Sequence, residues 1–465
     1  MKILLTGATG LIGREVGKLL SEAGHEVVSL TRDGVNGRAT MPFQCRVLEW
    51  KGAGFPFSQE TLEGFRGIDG VVHLMGENIA DNRWSKKIKD RLVKSRVDAS
   101  QELIMAIFGV SNPQFWIHGS AIGFYGVSDG EVFYDEESPA GQGFLPELCK
   151  AWEATLSSLP SQCRRVILRT GVVLSHQGGA FPKMLLPLLN GIGSVIGSGR
   201  QLMSPIHLTD VARFIVHAVQ QNSVQGIYNL VAGEPRAQKD VVERLCYWLN
   251  VSSGPRVPAF AVRAALGEMS TLVLDSLGVR SRRLSESGFR LKYPDLDSML
   301  SEVTQWTLHP FRPKEPVFVQ YVEQFVPKPL EEIFPFFSDA RNLEAITPEW
   351  LHFKIKKVTP EEIRKGTRIR YRLRLHGLPL GWLTDIAEWE PPVRFVDNQL
   401  KGPYSLWYHE HTFHPVKGGT LIRDWVRFQL PLGKLGKWVG YPKVHSDVQK
   451  IFEYRKRKIL EILGQ

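Results

Sequence analysis

The sequence predicts an α/β protein in two parts: a doubly wound parallel sheet, then an α+β unit in which an antiparallel sheet wraps around a long terminal helix. Three observations carry this. The first 130 residues alternate short apolar strands with amphipathic helical stretches, as in a sheet whose parallel strands are joined by crossover helices. Gly7, Gly10 and Gly13 punctuate the turn between the first strand and the first helix. Near Thr307–Pro316 the text becomes Leu-His-Pro-Phe-Arg-Pro-Lys-Glu-Pro, whose prolines forbid a continuing helix, and a run of strands with Gly and Pro turns follows.

Taken in order, the predicted strands of the first part are Lys2–Thr6, Glu26–Thr31, Gly70–Leu74, Gln114–Gly119 and Val166–Arg169. Between the first two, Leu11, Ile12, Val16, Leu19 and Leu20 recur at helical spacing, and Gly24 supplies the stop. The proline-rich stretch reads as a short, stiff connector, which sets the domains at 1–306 and 317–465. Beyond it come a strand at Val317–Phe325, a helix around Leu330–Asp339, several strands, and a final helix with Val444, Val448, Ile451, Phe452, Ile459 and Leu463 on one stripe.

A length of 465 residues is about three times the usual domain, and 43% apolar with 10% aromatic residues is enough for packed cores, so a largely disordered chain is excluded. No stretch approaches the roughly 18 apolar residues that span a bilayer, and Met1 leads straight into a strand, so the expected location is the cytoplasm. Four scattered cysteines form no C-x-x-C pair; they read as reduced core thiols. The net charge of +10 is uneven, with 26 Lys and Arg against 18 Asp and Glu from Arg312 onward. That excess suits either solubility or an anionic partner, but no nucleic-acid module accompanies it.

The chemistry concentrates at Thr6-Gly7-Ala8-Thr9-Gly10-Leu11-Ile12-Gly13. Gly7 permits a tight turn, Gly10 lets backbone N–H groups reach a pyrophosphate, and Gly13 allows close helix packing. The helix N-terminus supplies the positive dipole end. A strand before and a helix after make this a dinucleotide site. At the end of the second strand stands Arg32, which accommodates a ribose 2′-phosphate and favours NADP(H); Asp33 follows and could instead read the hydroxyls of NADH.

These residues, with Asp69–Leu74, Ser120-Ala121 ahead of Tyr125-Gly126, and Arg169-Thr170-Gly171, resemble the extended short-chain dehydrogenase/reductase superfamily, whose domain is Rossmann-like. Asn78-Ile79, Arg83-Trp84, Ser95-Arg96-Val97, Trp152-Glu153, Gly197–Gln201, Ile206-His207, Asp210, Val257–Phe260 and Gly288-Phe289 narrow the resemblance to its epimerase-like branch, NAD-dependent epimerase/dehydratase-like, across the first 305 residues. It implies cofactor contacts at Thr6, Gly7, Thr9, Gly10, Leu11, Ile12, Gly13, Arg32, Leu74, Gly76 and Ser120. It also implies a Tyr-x-x-x-Lys pair, yet Leu145 and Cys149 stand in those places, and neither exchanges a proton or fixes a positive charge as that pair does. Ser120 keeps the position of the superfamily's catalytic Ser. Tyr125 is the candidate replacement acid, or else a packing residue.

Arg83, Arg96 and Arg200 are of the type that clamps an anionic group, and Gly191–Gly199 carries the glycine of a flap over it. His207 matches a position that caps the substrate pocket, or is a structural His; Pro205 stands where that branch would place Trp. The expected substrate side is therefore Arg83, Arg200 and His207.

Residues 317–463 resemble the START-like (SRPBCC, polyketide-cyclase-like) helix-grip superfamily, through Phe334–Asp339, Trp389–Pro392, Phe395–Asp397, Gly402–Tyr404 and Ile451–Arg455. The resemblance implies an apolar cavity. Trp407, His409, His411 and Phe413 share one strand face by period two. A metal would need a third ligand that the sequence does not display, so no metal site is expected. Arg368, Arg370, Arg372 and Arg374 alternate with apolar residues, giving a solvated basic face or an anion-binding wall. The expected function is an NADPH-binding, epimerase-like oxidoreductase of an unknown small substrate, nucleotide- or phosphate-bearing, with a fused domain for an apolar ligand. The alternative is an NADPH-sensing binding protein with a degenerate catalytic site.

Overall fold

A computed structural model describes residues 1–128, 133–191, 194–431 and 433–464. The chain forms two compact units, Met1–Gly37 with Cys45–Gln305, and Arg38–Gln44 with Trp306–Gln465.

In the first unit seven strands make one parallel sheet: β1 (Lys2–Thr6), β2 (Glu26–Thr31), β3 (Arg46–Glu49), β4 (Gly70–His73), β5 (Phe115–Ala121), β6 (Arg164–Thr170) and β7 (Gly226–Leu230). Their order is β7-β6-β5-β4-β1-β2-β3. The order reverses between β1 and β4, so the crevice at their C-terminal ends is where such a sheet holds ligands. Strands β3 and β7 were not among the predicted ones. Both lie at the sheet edges; β3 has four residues with charged ends, and β7 carries a buried Asn229 in mid-strand, so neither shows an apolar run.

Helix α1 (Leu11–Glu22) turns Val16 and Leu20 inward and ends where Gly24 adopts φ +87°, its N–H donating to the Ser21 carbonyl. Leu4, Val28, Val71 and Trp116 from the sheet pack with Leu103 and Ile104 of α2 (Ala99–Phe108). The tail after residue 257 is tied to α4 (Leu208–Gln220; α3 is Phe144–Ala154) through buried Asp210, which accepts from the Lys292 and Tyr293 N–H groups at 2.7 and 2.8 Å.

In the second unit the expected connector is a hairpin: Leu308–His309 pairs antiparallel with Arg312–Pro316, and Pro310 falls in its turn. The sheet holds β8 (Phe318–Val326), β9 (Lys354–Thr359), β10 (Arg368–Leu375), β11 (Leu378–Glu390), β12 (Arg394–Lys401), β13 (Leu406–Val416) and β14 (Gly419–Gln429), all antiparallel in the order β8-β14-β13-β12-β11-β10-β9. Helices α5 (Leu330–Phe337) and α6 (Gly433–Leu463) cover one face. Phe334 and Ile459 from these helices meet Phe395, Phe413 and Ile422 of the sheet. Along β10 the four arginines are exposed while Ile369 and Tyr371 are buried, so the basic face is the solvated one. Among the described residues no helix is long and apolar enough to cross a membrane.

Truncating a fully enclosed aromatic removes its transfer energy and leaves a cavity. Phe413→Ala should therefore lower the unfolding free energy by about 3–5 kcal/mol in urea titration. Arg370→Ala, on the outer face, should stay within about 0.5 kcal/mol.

Candidate cofactor and substrate sites

The glycine turn joins β1 to α1. Gly7 sits at φ +71°, and a Cβ there would lie 2.7 Å from the Leu74 carbonyl oxygen; a Cβ on Gly13 would lie 2.1 Å from the Gly7 oxygen. Both positions therefore exclude a side chain, and α1 starts hard against the turn. Gly10 is the N-cap and offers no side-chain oxygen, so the first amides of α1 are not capped from within. Thr9 and Gly10 are exposed and Leu11 and Ile12 half-buried, as an anion-binding helix start requires.

Thr6 is buried. Its hydroxyl accepts from the Leu74 and Met75 N–H groups at 3.1 and 3.3 Å and lies 3.0 Å from His73 Nδ1. Burial pushes the His73 imidazole down to about 3, so the ring is neutral. With Thr6 donating to Nδ1, Nε2 carries the proton and donates to Ser100 Oγ at 2.8 Å, while Ser100 donates to the Arg96 carbonyl. Thr6 thus holds the Leu74–Gly76 backbone in register with the glycine turn.

At the end of β2, Asp33 accepts from the Asn36 backbone N–H at 2.9 Å and from its side-chain amide at 2.6 Å. These bonds, the backbone one first, hold its carboxyl below its ordinary value. Arg32 is exposed, and its carbonyl accepts from Lys51 Nζ at 3.1 Å.

The polar floor beneath the crevice centres on Arg169. Its Nε and Nη2 grip the Glu153 carboxylate at 3.0 and 2.8 Å, and its Nη1 donates to Tyr125 Oη at 2.9 Å. Tyr125 in turn donates to Asn229 Oδ1 at 2.7 Å, and Ser120 Oγ donates to Glu153 Oε1 at 2.6 Å. Tyr125 is 1% exposed, and burial raises its phenol above the ordinary value. It is a packed residue whose hydroxyl is hydrogen-bonded to both Arg169 and Asn229. Burial and the Glu153 carboxylate push the Cys149 thiol up to about 11, against the Arg96 guanidinium that pulls it down. Arg96 itself donates to the Glu77 carbonyl at 2.9 Å, lies over Trp152, and stands where a Cβ on Gly76 would meet it at 3.0 Å. It is the fixed cation beside Cys149.

His207 is tied down at both ring nitrogens. Its Nδ1 accepts from the Thr209 N–H at 3.2 Å as the N-cap of α4, and its Nε2 donates to Glu302 at 2.8 Å. Burial pushes the Glu302 carboxyl up, but the bonds from His176 and His207 overcome it and hold it well below the usual range. Both ring nitrogens are thus hydrogen-bonded within the protein, as in the structural reading of this residue. Arg83 is exposed and lies against Gly267; Arg200 is exposed, its N–H donating to Ser198 Oγ at 3.1 Å. Of the flap expected over Gly191–Gly199, residues 192 and 193 lie outside the described residues.

The second unit contains a cavity of about 210 Å³ between the sheet and its helices, walled by Tyr371, Trp382, Trp407 and Phe452. At one point the wall is polar. Asp397 on β12 stands directly opposite His409 on β13, and Asp424 on β14 directly opposite His411. Asp397 Oδ2 is 3.0 Å from His411 Nε2 and 3.4 Å from His409 Nδ1. Asp424 Oδ1 is 3.0 Å from His409 Nε2 and 2.8 Å from His411 Nδ1. The third donor that the sequence did not display is therefore Asp397, brought in by strand pairing.

Burial opposes the charge on His411, but its two carboxylate neighbours win and raise it above the ordinary value; His409 is lowered by burial and by His411. Asp424 is held well below the carboxylate range despite burial, by Arg455 and the two histidines.

Removing one partner of a buried ion pair strands the other charge, so Arg169→Ala should cost about 3–5 kcal/mol of stability. Pairing Arg169→Met with Glu153→Gln should recover part of that loss, as read from urea unfolding of the single and double variants.

Residues 3–230 match the NAD dependent epimerase/dehydratase family, and residues 257–303 match a domain of unknown function (DUF1731). The mouse (Mus musculus) epimerase family protein SDR39U1 is 34% identical over 308 residues, 65% of this chain and 99% of that protein. The Bacillus subtilis epimerase family protein YfhF is 32% identical over 311 residues, 65% and 98%. The crystal structure of human epimerase family protein SDR39U1 with NADPH is similar at TM-score 0.57 and 31% identity, covering 65% of this chain and 99% of that one. A nucleoside-diphosphate sugar epimerase from Corynebacterium glutamicum reaches TM-score 0.51 at 26% identity, covering 65% and 58%. With nearly the whole length of such relatives covered at this identity, the chain belongs to the NAD dependent epimerase/dehydratase family.

Proposed function

We propose that the first unit binds NADPH and transfers hydride to or from a small anionic, nucleotide- or phosphate-bearing substrate. The observation that carries the cofactor choice is at the end of β2: Asp33 is spent on Asn36, while the Arg32 side chain is exposed at the position that reads the ribose 2′-phosphate. The similar human protein was crystallised with NADPH, which supports the same reading. Thr9, Gly10, Leu11 and Ile12 offer the amide cradle for the pyrophosphate, and Leu74 and Gly76 border it. Ser120 and the Arg96 cation are the groups proposed at the reacting end, with Arg83 and Arg200 as anion clamps.

A second reading is favoured by one observation. Ser120 gives its proton to Glu153, Tyr125 is bonded inward, and Cys149 is held as a neutral thiol, so the usual dyad has no evident substitute. In that reading the unit holds NADPH without turnover and reports its occupancy. For the second unit, the START-like resemblance and the aromatic-walled cavity support an apolar or amphipathic ligand.

Titration of the full chain should show tighter binding of NADPH than NADH. Arg32→Ala should remove most of the difference, a charge-assisted contact of about 1.5–3 kcal/mol, or roughly 10- to 100-fold. Equal affinities in the unmodified protein would reject the assignment. Reoxidation of bound NADPH by candidate carbonyl substrates, followed by its absorbance, separates the two readings, since the sensor shows none. Uptake of a fluorescent apolar probe that Trp407→Ala weakens tests the cavity; a probe that never enters rejects the ligand role.

A further inference from the structure

Asp397, His409, His411 and Asp424 are explained by neither the nucleotide site nor an apolar ligand. All lie on the inner face of the second unit's sheet, where aromatic packing would be cheaper than four ionisable groups. Asp424, His409 and His411 are between 3% and 5% exposed. Their arrangement has a direction. One oxygen of Asp424 faces His409 Nε2 and His411 Nδ1, and one oxygen of Asp397 faces the opposite nitrogens, His409 Nδ1 and His411 Nε2. If Asp424 takes the proton of each ring, both rings turn bare nitrogens toward Asp397. This is how a carboxylate behind metal-bound histidines fixes tautomer and orientation.

We propose that Asp397 Oδ2, His409 Nδ1 and His411 Nε2 are three ligands of a divalent first-row transition-metal ion, with Asp424 as the carboxylate that orients both imidazoles.

The distances agree with coordination. Donors about 2.1 Å from one ion stand about 3.0–3.4 Å apart for right-angle to tetrahedral bond angles. The oxygen–nitrogen separations on the Asp397 side are 3.0 and 3.4 Å, and all three donors lie within 4.8 Å of one another. As the ring stands, His411 Nε2 is hydrogen-bonded to Asp397 Oδ2 at 3.0 Å and Nδ1, 2.8 Å from Asp424, makes no aligned bond, so ligation exchanges the Nε2 proton for the ion and moves the ring proton to Nδ1, facing Asp424.

Two histidines and one carboxylate suit zinc, iron(II) or manganese(II), and three protein ligands leave positions open. Asp397, His409 and His411 all line the cavity, so those open positions face the space where a ligand would sit. Arg455 lines the same cavity, and its Nε has no hydrogen-bond partner among the described residues. Asp397 and Asp424 carry two negative charges against the one positive charge of Arg455. A divalent ion with neutral imidazoles leaves a net +1, so an anionic or carbonyl oxygen on the open positions is favoured.

This inference is independent of the NADPH reading, because every group it uses lies in the second unit. The test is equilibrium dialysis of the full-length protein, stripped by chelator, against Zn²⁺, Mn²⁺ or anaerobic Fe²⁺, with elemental analysis. One ion per chain is expected. It should be lost in His409→Ala and in His411→Ala, bound about 10- to 100-fold more weakly in Asp424→Asn, and unchanged in Arg370→Ala. Should the histidine variants fail to fold, Co²⁺ in the unmodified protein supplies the second measurement. A visible ligand-field band altered by Asp424→Asn supports the site, whereas Co²⁺ with no such band overturns it. No stoichiometric ion, or an ion retained when both histidines are replaced, also overturns it. Uptake of inorganic phosphate in place of any metal would do the same, since the cluster would then be an anion site built on Arg455.

Discussion

The crevice of the first unit depends on one buried guanidinium. Arg169 lies on β6, opposite Ser120 of β5 on one side and Asn229 of β7 on the other, and is linked to them through Glu153 and Tyr125 respectively. It is 3% exposed, with its carbon centre 3.4 Å from the Phe124 ring centroid. A charge so enclosed is tolerable only if its donors are met, and the bidentate Glu153 with Tyr125 meets them. Glu153 comes from α3, the helix that also carries Leu145 and Cys149. The ion pair therefore fixes how that helix sits on the sheet. Cys149 meets the same network through its hydrogen bond with Ser120.

A second constraint links this floor to the nucleotide turn. Thr6, His73, Ser100 and Trp152 form a hydrogen-bonded chain through the core, with Trp152 Nε1 donating to Ser100 Oγ at 3.0 Å. His73 can serve because it is neutral; a charged imidazole at that depth would carry a desolvation cost that its hydroxyl partners could not offset. The chain ends at the Arg96 carbonyl, in a short π-helical segment at Lys94–Asp98. Such local widening of a helix often sits at functional sites, and here it is the stretch that carries the Arg96 guanidinium to Cys149 and Gly76. The guanidinium beside Cys149 is thus delivered from the stretch that precedes α2.

What could be read in the sequence follows the range of the interactions involved. Local signals were legible: the β1–glycine turn–α1 unit, the alternation of Arg368–Leu375, and the shared face of Trp407, His409, His411 and Phe413. Edge strands were not, since Arg46–Glu49 and Gly226–Leu230 carry polar residues that erase the apolar pattern. The proline-rich stretch reads as a linker because proline forbids a helix; it does not forbid a two-residue edge pairing, which is what forms. Tyr125 and His207 are recognisable by position, but position does not tell whether a polar atom faces a ligand or a protein partner. Asp210, by contrast, keeps its place by accepting two backbone amides some eighty residues away.

The histidine pair shows the same limit from the other side. From β13 alone, two histidines at period two lack a third donor, and core packing is the economical reading. Only register supplies the rest: pairing of Asp397 with His409, and of Asp424 with His411, sets two carboxylates on flanking strands at the same height. A slip of one residue in either pairing would turn its Asp to the outer face, because successive side chains on a strand alternate. The inner face would then hold two buried histidines with one acceptor or none. The register that places Phe395, Phe413 and Ile422 in the core is thus the one that completes the polar cluster. Burial of these apolar side chains is the stronger driving force and selects the alignment, and the His/Asp constellation is carried into place by it.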